Sequence, residues 1–313
     1  MNDYSVFNEL TTACPHMKMY SNEEMKDRTF IKVGGKADYY VQPSTLDEAA
    51  EVVKFAHAKA IPLTVLGFGS NVIIRDSGIR GIVLNMNLLN AIEVLDQEIM
   101  AECGASFIDV SRTARDYSLS GLEFACGIPG SVGGALMMNA GAYGGEVSFV
   151  LKQATILTRT GEMKVLDDTQ FQFGYRSSVF EREGYIVLKA VFKLEKGELA
   201  DIQGKMDHFT FLREDKQPLE YPSCGSVFKR PPNMFAGKLI ADSGLQGLRI
   251  GGAEVSTKHA GFIVNIDNAT STDYLALIEH VKKTVKEKFD VELETEVKII
   301  GDPATDRSSG QPT

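Results

Sequence analysis

Gly67-Phe-Gly-Ser-Asn71 and Phe124-Ala-Cys-Gly-Ile-Pro-Gly-Ser-Val-Gly-Gly-Ala-Leu-Met-Met-Asn-Ala-Gly-Ala-Tyr-Gly-Gly145 are the stretches on which the fold turns. The second runs 22 residues without Asp, Glu, Lys or Arg and holds seven glycines. That glycine content, with Pro129, Ser131 and Asn139, would leave a membrane-spanning helix broken and poorly hydrophobic. It reads as a loop system. Neither stretch fits G-x-G-x-x-G, since position 72 is Val, and no G-x-x-x-x-G-K-[ST] occurs. Glycine turns after a strand or at a helix start nevertheless leave backbone N–H groups exposed, which suits a pyrophosphate. The two stretches together point to a dinucleotide site.

Outward from the first stretch, Leu63–Leu66 is a short buried strand, and residues 45–60 before it read as a helix. Thr45 and Glu48 make a capping box there, Leu46, Ala49, Ala50, Val53 and Ala60 share one stripe, and Pro62 stops it. Strands follow at 72–74, 82–84, 92–95 and 99–102, then a helix over 107–119 closed by Gly121. Beyond the second stretch the chain is strand-rich, at 154–158, 163–166 and 185–194. Glu195-Lys-Gly-Glu198 shifts the composition and is the best boundary. Residues 199–216 read as a helix, and Pro218, Pro222, Pro231 and Pro232 bracket Cys224-Gly-Ser-Val-Phe-Lys-Arg230. Residues 272–289 read as a core helix with a stripe of Leu275, Ile278, Val281, Val285 and Phe289. It feeds 291–299, whose period-2 alternation predicts a strand, and 302–313 reads as disordered.

A chain of 313 residues suggests about two domains and can bury about three quarters of its unfolded surface. The net charge of −9 argues against a nucleic-acid-binding surface, though not against a local basic pocket. Cys14, Cys103, Cys126 and Cys224 include no C-x-x-C pair and, with five scattered histidines, offer no metal site. Reduced thiols and an N-terminus without a basic signal region fit a cytoplasmic protein with no membrane association.

The two glycine segments are followed in order by Gly174-Tyr-Arg-Ser-Ser178, Pro222-Ser-Cys-Gly-Ser-Val-Phe-Lys229 and Leu293-Glu-Thr-Glu-Val-Lys298. In these motifs, and in their order from Arg28 to Gly301, the chain resembles the UDP-N-acetylenolpyruvoylglucosamine reductases of peptidoglycan synthesis. The resemblance implies an α+β protein with the vanillyl-alcohol-oxidase/PCMH-type FAD-binding fold of two α+β subdomains, plus a C-terminal α+β substrate domain. On that reading 1–75 is the first FAD-binding subdomain, 76–196 the second and 197–288 the UDP-sugar domain; 289–301 is a strand returning to the active site. Gly67, Phe68, Gly69, Ser70 and Asn71 would cradle FAD, with Gly127, Ile128, Pro129, Gly130, Ser131, Gly133, Gly134, Ala135, Asn139, Ala140 and Gly141. Some members of the wider fold attach flavin through a histidine near the first segment; none stands at 67–71, so non-covalent FAD is expected.

The family reduces the enolpyruvyl ether of UDP-N-acetylglucosamine-enolpyruvate to a lactyl ether, with NADPH as reductant. Such chemistry needs a cation at the substrate carboxylate, a polar group at the developing enolate and a proton donor. By match to the family motifs these are Arg176, Glu296 and Ser226. Nothing in the sequence itself separates Glu296 from Glu292 and Glu294, and a Gly-Ser between prolines is otherwise just a turn. Lys216, Lys229 and Arg230 supply positive charge for a diphosphate, and Tyr175 flanks Arg176. A longer branch of the family inserts a tyrosine-bearing loop, for which 178–185 leaves no room, so the chain resembles the shorter branch. The alternatives are another flavin oxidoreductase of this fold, acting on a hydroxy acid, and a non-catalytic nucleotide-binding module.

Overall fold

The computed structural model describes residues 3–302, so the tail expected to be disordered falls, Asp302 apart, outside the described residues. The chain divides into two units, neither continuous in sequence. One comprises residues 1–21, 39–68 and 81–213, the other 22–38, 69–80 and 214–313. The chain passes between them within the strands Lys18–Glu24, Lys36–Gln42 and Ile79–Asn85, after Phe68, and after Arg213 in the helix Leu199–Lys216.

In the first unit, Leu63–Leu66 runs parallel to Ile79–Asn85. A five-stranded antiparallel sheet has the order Met163–Asp167, Leu151–Leu157, Ile186–Lys193, Glu98–Glu102, Ile92–Leu95. The helices Phe107–Asp116 and Val132–Met137 pack on it, and Phe107 lies 6.0 Å from Phe124 and 6.1 Å from Phe192. Ala49, Val52, Val53 and Ala56 of the helix Leu46–Ala58 are buried in the same core with Tyr39, Val41, Ile82 and Leu84.

The second unit has its own core. The strands Ser223–Ser226, Phe262–Asn265, Ala253–Val255 and Arg249–Ile250 form an antiparallel sheet in that order. The helix Ser271–Phe289 lays its buried face on this core, joined by Ile31, Val33 and Ile73 from far upstream. Its first turn is gripped by Asp76, whose carboxylate accepts hydrogen bonds from the Ser271 N–H at 2.9 Å, the Thr272 N–H at 3.0 Å and the Thr272 hydroxyl at 2.7 Å.

The α+β class and most elements stand as expected; the departures have local causes. Thr45 does cap its helix, but the Glu48 carboxylate accepts from Ser44, so the box is half formed. Leu63–Leu66 is the edge of its sheet, which leaves Val65 exposed and Leu66 buried. The helix expected over 107–119 stops at Asp116, because Leu119–Ser120 pairs with Glu195–Lys196 as strand. The loop system at 124–145 contains the helix Val132–Met137 and a hairpin of Gly141–Ala142 with Gly145–Glu146. The buried stripe of the long helix is Tyr274, Leu277, Ile278, Val281 and Val285; Leu275 lies at its edge and Phe289 is exposed. The expected strand over 291–299 shrinks to Lys298–Ile300, parallel to Val72–Ile74. Alternation there reports burial of Leu293 and Val297, not a continuous ladder.

Candidate active site

Gly67 and Phe68 belong to the first unit, Gly69 to Asn71 to the second. The Gly67 carbonyl accepts from Asn85 Nδ2 at 2.9 Å, and any Cβ on Gly67 would overlap Ser131 Oγ. Glycine here therefore lets the first segment touch the second. Gly69 adopts φ +68° over the Arg28 carbonyl, which a Cβ would meet at 2.5 Å. Phe68 and Ser70 are half-buried. Asn71 reaches the other end of the chain: its Nδ2 donates to the Glu296 carbonyl at 3.3 Å, and its own carbonyl accepts from Lys298 N at 3.1 Å.

In the second segment Ser131 is the N-cap of the helix Val132–Met137, its Oγ accepting from Gly134 N at 3.3 Å. The Gly130 carbonyl accepts from Phe107 N, and the Gly133 N–H donates to the Cys103 carbonyl at 2.8 Å. Ala135 is buried, Ile128 and Ala140 pack on the core, and Pro129 is half-buried. Gly134 is exposed, and a Cβ on it would meet only Ser131 Oγ, at 3.5 Å. The Asn139 side chain is fully used by the protein. It donates to Glu146 at 3.0 Å and to the Gly174 carbonyl at 3.2 Å, and accepts from Ser148 N at 3.0 Å.

Sequence reasoning missed Arg213, the last residue of the first unit. Its Cδ lies where a Cβ on Gly127 would come within 2.7 Å. Burial holds its pKa below the usual arginine range, against the opposing pull of Tyr143 and Cys126, and among the described residues no carboxylate pairs with it. Tyr143 stacks on Phe209 of the helix Leu199–Lys216, rings 4.7 Å apart and 6° from parallel. Near Gly67, Asn87 Oδ1 is buried without a partner, two residues beyond Asn85. A cation lacking a carboxylate and an open glycine fit a cofactor's phosphates beside these segments, while the orphan acceptor calls for a donor such as a hydroxyl or amine of the same cofactor.

Arg176 sits in a tight turn closed by Gly174 N to Ser177 O, 3.0 Å, and Ser177 N to Gly174 O, 3.2 Å, with its own φ at +51°. The guanidinium donates to the Gly141 carbonyl at 3.2 Å and lies 5.3 Å from the centre of the exposed Tyr175 ring. Ser178 Oγ donates to the Met137 carbonyl at 2.8 Å. So the Arg176 turn is tied to the second glycine segment through residues 137, 139 and 141.

In the second unit Ser226 ends its strand opposite Phe262, after Gly225 at φ +77°. The next residue, Val227, donates to the Gly261 carbonyl at 2.9 Å and accepts from the Glu296 N–H at 2.8 Å. The structure thus brings Ser226 and Glu296 onto neighbouring segments. It also separates the three glutamates: Glu292 is 83% exposed and paired with Lys286, Glu294 is 76% exposed and paired with Lys229 at 3.3 Å, and Glu296 is half-buried. Lys229 therefore shares its charge with Glu294. Arg230 is exposed, 5.1 Å from the centre of the Phe235 ring, and Lys216 is exposed at its helix end. Beside Ser226, burial pushes the Cys224 thiol up to about 12, so it stays protonated.

No helix among the described residues is long and apolar enough to cross a membrane, and no metal-binding cluster occurs among them. Residues 37–167 match the FAD binding domain model, and 217–300 match that of the UDP-N-acetylenolpyruvoylglucosamine reductase C-terminal domain. UDP-N-acetylenolpyruvoylglucosamine reductase 2 of Bacillus cereus is 60% identical over 302 residues, 96% of this chain and 99% of that one. The Listeria monocytogenes reductase is 61% identical, covering 94% and 99%. The crystal structure of the Thermus caldophilus reductase superposes with TM-score 0.77 at 32% identity, over 91% of this chain and 98% of that one. A glucose dehydrogenase, Phl p 4, matches at TM-score 0.50 and 13% identity over 62% and 44%, a likeness of fold alone. Matched along nearly its whole length, with both domain models present, the chain belongs to the UDP-N-acetylenolpyruvoylglucosamine reductase family of FAD-containing oxidoreductases.

Proposed function

We propose that this protein reduces the enolpyruvyl ether of UDP-N-acetylglucosamine-enolpyruvate to UDP-N-acetylmuramate, a cytoplasmic step of peptidoglycan precursor synthesis, with no nucleic acid or membrane partner. Bound without a covalent link, FAD would supply hydride chemistry, with NADPH as the reductant. The chain's own residues do the rest. Arg176 binds the pyruvyl carboxylate, since its planar fork keeps a full charge and two parallel donors. Glu296 addresses the enolate that develops when the methylene carbon gains a hydride. Ser226 Oγ gives a proton to the adjacent carbon, completing addition of two hydrogens across the double bond. The glycine segments at 67–71 and 127–141 hold the FAD pyrophosphate, and Arg213 over Gly127 adds the cation that this anion requires. Tyr175, Lys216, Lys229 and Arg230 receive the UDP-sugar; of the substrate domain expected over 197–288, residues 214–288 fall in the second compact unit, with 289–301 after them.

The observation that carries the reading is the pairing of the Ser226–Val227 segment with the half-buried Glu296. Anaerobic stopped-flow of the two half-reactions tests it. Ser226→Ala should bleach with NADPH at a near-normal rate, because that step places no proton on carbon. Its reoxidation by the enolpyruvyl substrate should be slower by on the order of a thousandfold. Slowing of both steps alike would mean a disturbed flavin site, and an unimpaired second step would remove Ser226 from the chemistry.

A further inference from the structure

The segment that carries Ser226 is held on one side by Glu296 and on the other by Gly261, and Gly261 is held in turn by a histidine. The Gly261 carbonyl accepts from the Val227 N–H at 2.9 Å, while the Gly261 N–H donates to His259 Nδ1 at 3.1 Å. A Cβ on Gly261 would come within 3.0 Å of the imidazole Cε1, so a side chain there would press on the ring and shift it by a few tenths of an ångström. The turn is otherwise closed. Ser256 Oγ accepts from both the Lys258 and His259 N–H groups at 3.2 Å, and Phe262 N donates to the His259 carbonyl at 2.9 Å. The imidazole stands edge-on to the Phe262 ring, 4.9 Å between centroids and 71° apart, and Phe262 is the residue paired with Ser226.

We propose that His259 is a positioning residue for Ser226, its unprotonated Nδ1 fixing Gly261 and, one hydrogen bond further on, the segment that aims the Ser226 hydroxyl. The inference rests on Ser226 being the proton donor. An Nδ1 that accepts puts the ring proton on Nε2 in the neutral form. A second proton would turn Nδ1 into a donor facing the Gly261 N–H, and the bond would be lost. Burial holds the imidazole below its ordinary range, so it stays neutral at pH 7. The charged groups on the surrounding elements have other partners. Lys258, next in the turn, donates to the Glu214 carbonyl at 2.7 Å, and Lys238, beside Gly237 on the helix Ala236–Asp242, pairs with Asp242 at 2.6 Å. Activity should therefore fall on the acid side as His259 is protonated, in the proton-delivering step alone.

The test uses the FAD-loaded enzyme in anaerobic stopped-flow across pH. In the wild type, reoxidation by the enolpyruvyl substrate should fall through an inflection under the ordinary imidazole range and level off about tenfold lower. Bleaching by NADPH should lack that inflection. His259→Asn presents Oδ1 where Nδ1 stood and cannot titrate; it should reoxidise within about threefold of wild type at pH 8 and lose the acid inflection. His259→Leu offers no acceptor and should reoxidise about tenfold more slowly at every pH, with bleaching unchanged. Should the Leu variant fail to fold, the wild-type and Asn pH series decide the matter. An acid inflection kept in His259→Asn would belong to another group and overturn the proposal, as would equal slowing of both half-reactions. Hydrogen exchange at the Gly261 and Val227 amides separates this from the parent reading. Protection lost on acidification in wild type but kept in His259→Asn supports the positioning. Unchanged protection in both overturns it, whatever Ser226→Ala does.

Discussion

Glu296 and Glu292 stand four residues apart on the same segment, yet only one of them is shielded from water. Glu292 faces solvent beside Lys286, where an ion pair contributes little. Glu296 is half-buried, with its backbone bonded at both ends, to Val227 and to Asn71. Replacing Glu296 with Gln should slow flavin reoxidation about a hundredfold while changing substrate affinity much less, as expected for a group acting on developing charge. Glu292→Gln should stay within about threefold of wild type in the same measurement. A comparable loss in both variants would refute the assignment. This distinction was not legible in the sequence, because an alternating strand presents all its glutamates alike; the family motif alone picked out position 296. Arg213 shows the same limit. In Phe211-Leu-Arg-Glu-Asp-Lys216 it reads as one charge among several, and only the fold sets it over Gly127. Had helical phase been applied, Met206, Thr210 and Arg213 would have fallen on one face of the helix, with Cys126 Sγ bonded to the first two.

The best-read elements are punctuated by proline and glycine, Pro62 and Gly67 around one and Gly197 and Pro218 around another, or opened by a full cap. Leu63–Leu66 and Leu199–Lys216 have the expected bounds, and the helix Ser271–Phe289 starts one residue early, where Thr270 and Asp273 form a full capping box. What sequence could not supply was Asp76, 195 residues before that helix, serving its free N–H groups. Burial pushes the Asp76 carboxyl up, but the hydrogen bonds from the Thr272 hydroxyl and the Ser271 and Thr272 amides outweigh it, and the net pKa lies below the usual carboxylate value. Since the folded value is the lower one, this stabilisation is complete above the ordinary aspartate pKa. It is lost as pH falls through the depressed value. Asp76→Asn keeps some hydrogen bonds and loses the charge at the positive helix end. It should cost about 1 kcal/mol at pH 7, allowing for solvent screening, and almost nothing near pH 2. Urea unfolding of both proteins at the two pH values measures this; an equal difference at both would exclude the charge as the cause.

For the molecule as a whole, the second core is assembled from three distant pieces of chain. Ile31 and Val33 come from one, Ile73 from another and the rest from beyond residue 214. A composition shift at 195–198 cannot reveal this, because the residues that join a core across such distances carry no local mark. A fragment of residues 214–313 expressed without the others should lack Ile31, Val33, Ile73 and Asp76 together. It should show no cooperative thermal transition, whereas supplying residues 22–38 and 69–80 by fusion should restore one. A cooperative melt of the bare fragment would show that the upstream pieces are dispensable. The same interleaving has a consequence for how the protein is made. Synthesis is vectorial, so residues 22–38 and 69–80 leave the ribosome before the whole of Gly81–Arg213, and their partners follow later still. At roughly 5–20 residues per second, Ile31, Val33 and Ile73 stay uncovered for on the order of ten seconds. In that interval the nascent chain presents apolar surface that folding alone cannot hide, and it is there that chaperone holding, translation speed and aggregation will compete for the yield of active enzyme.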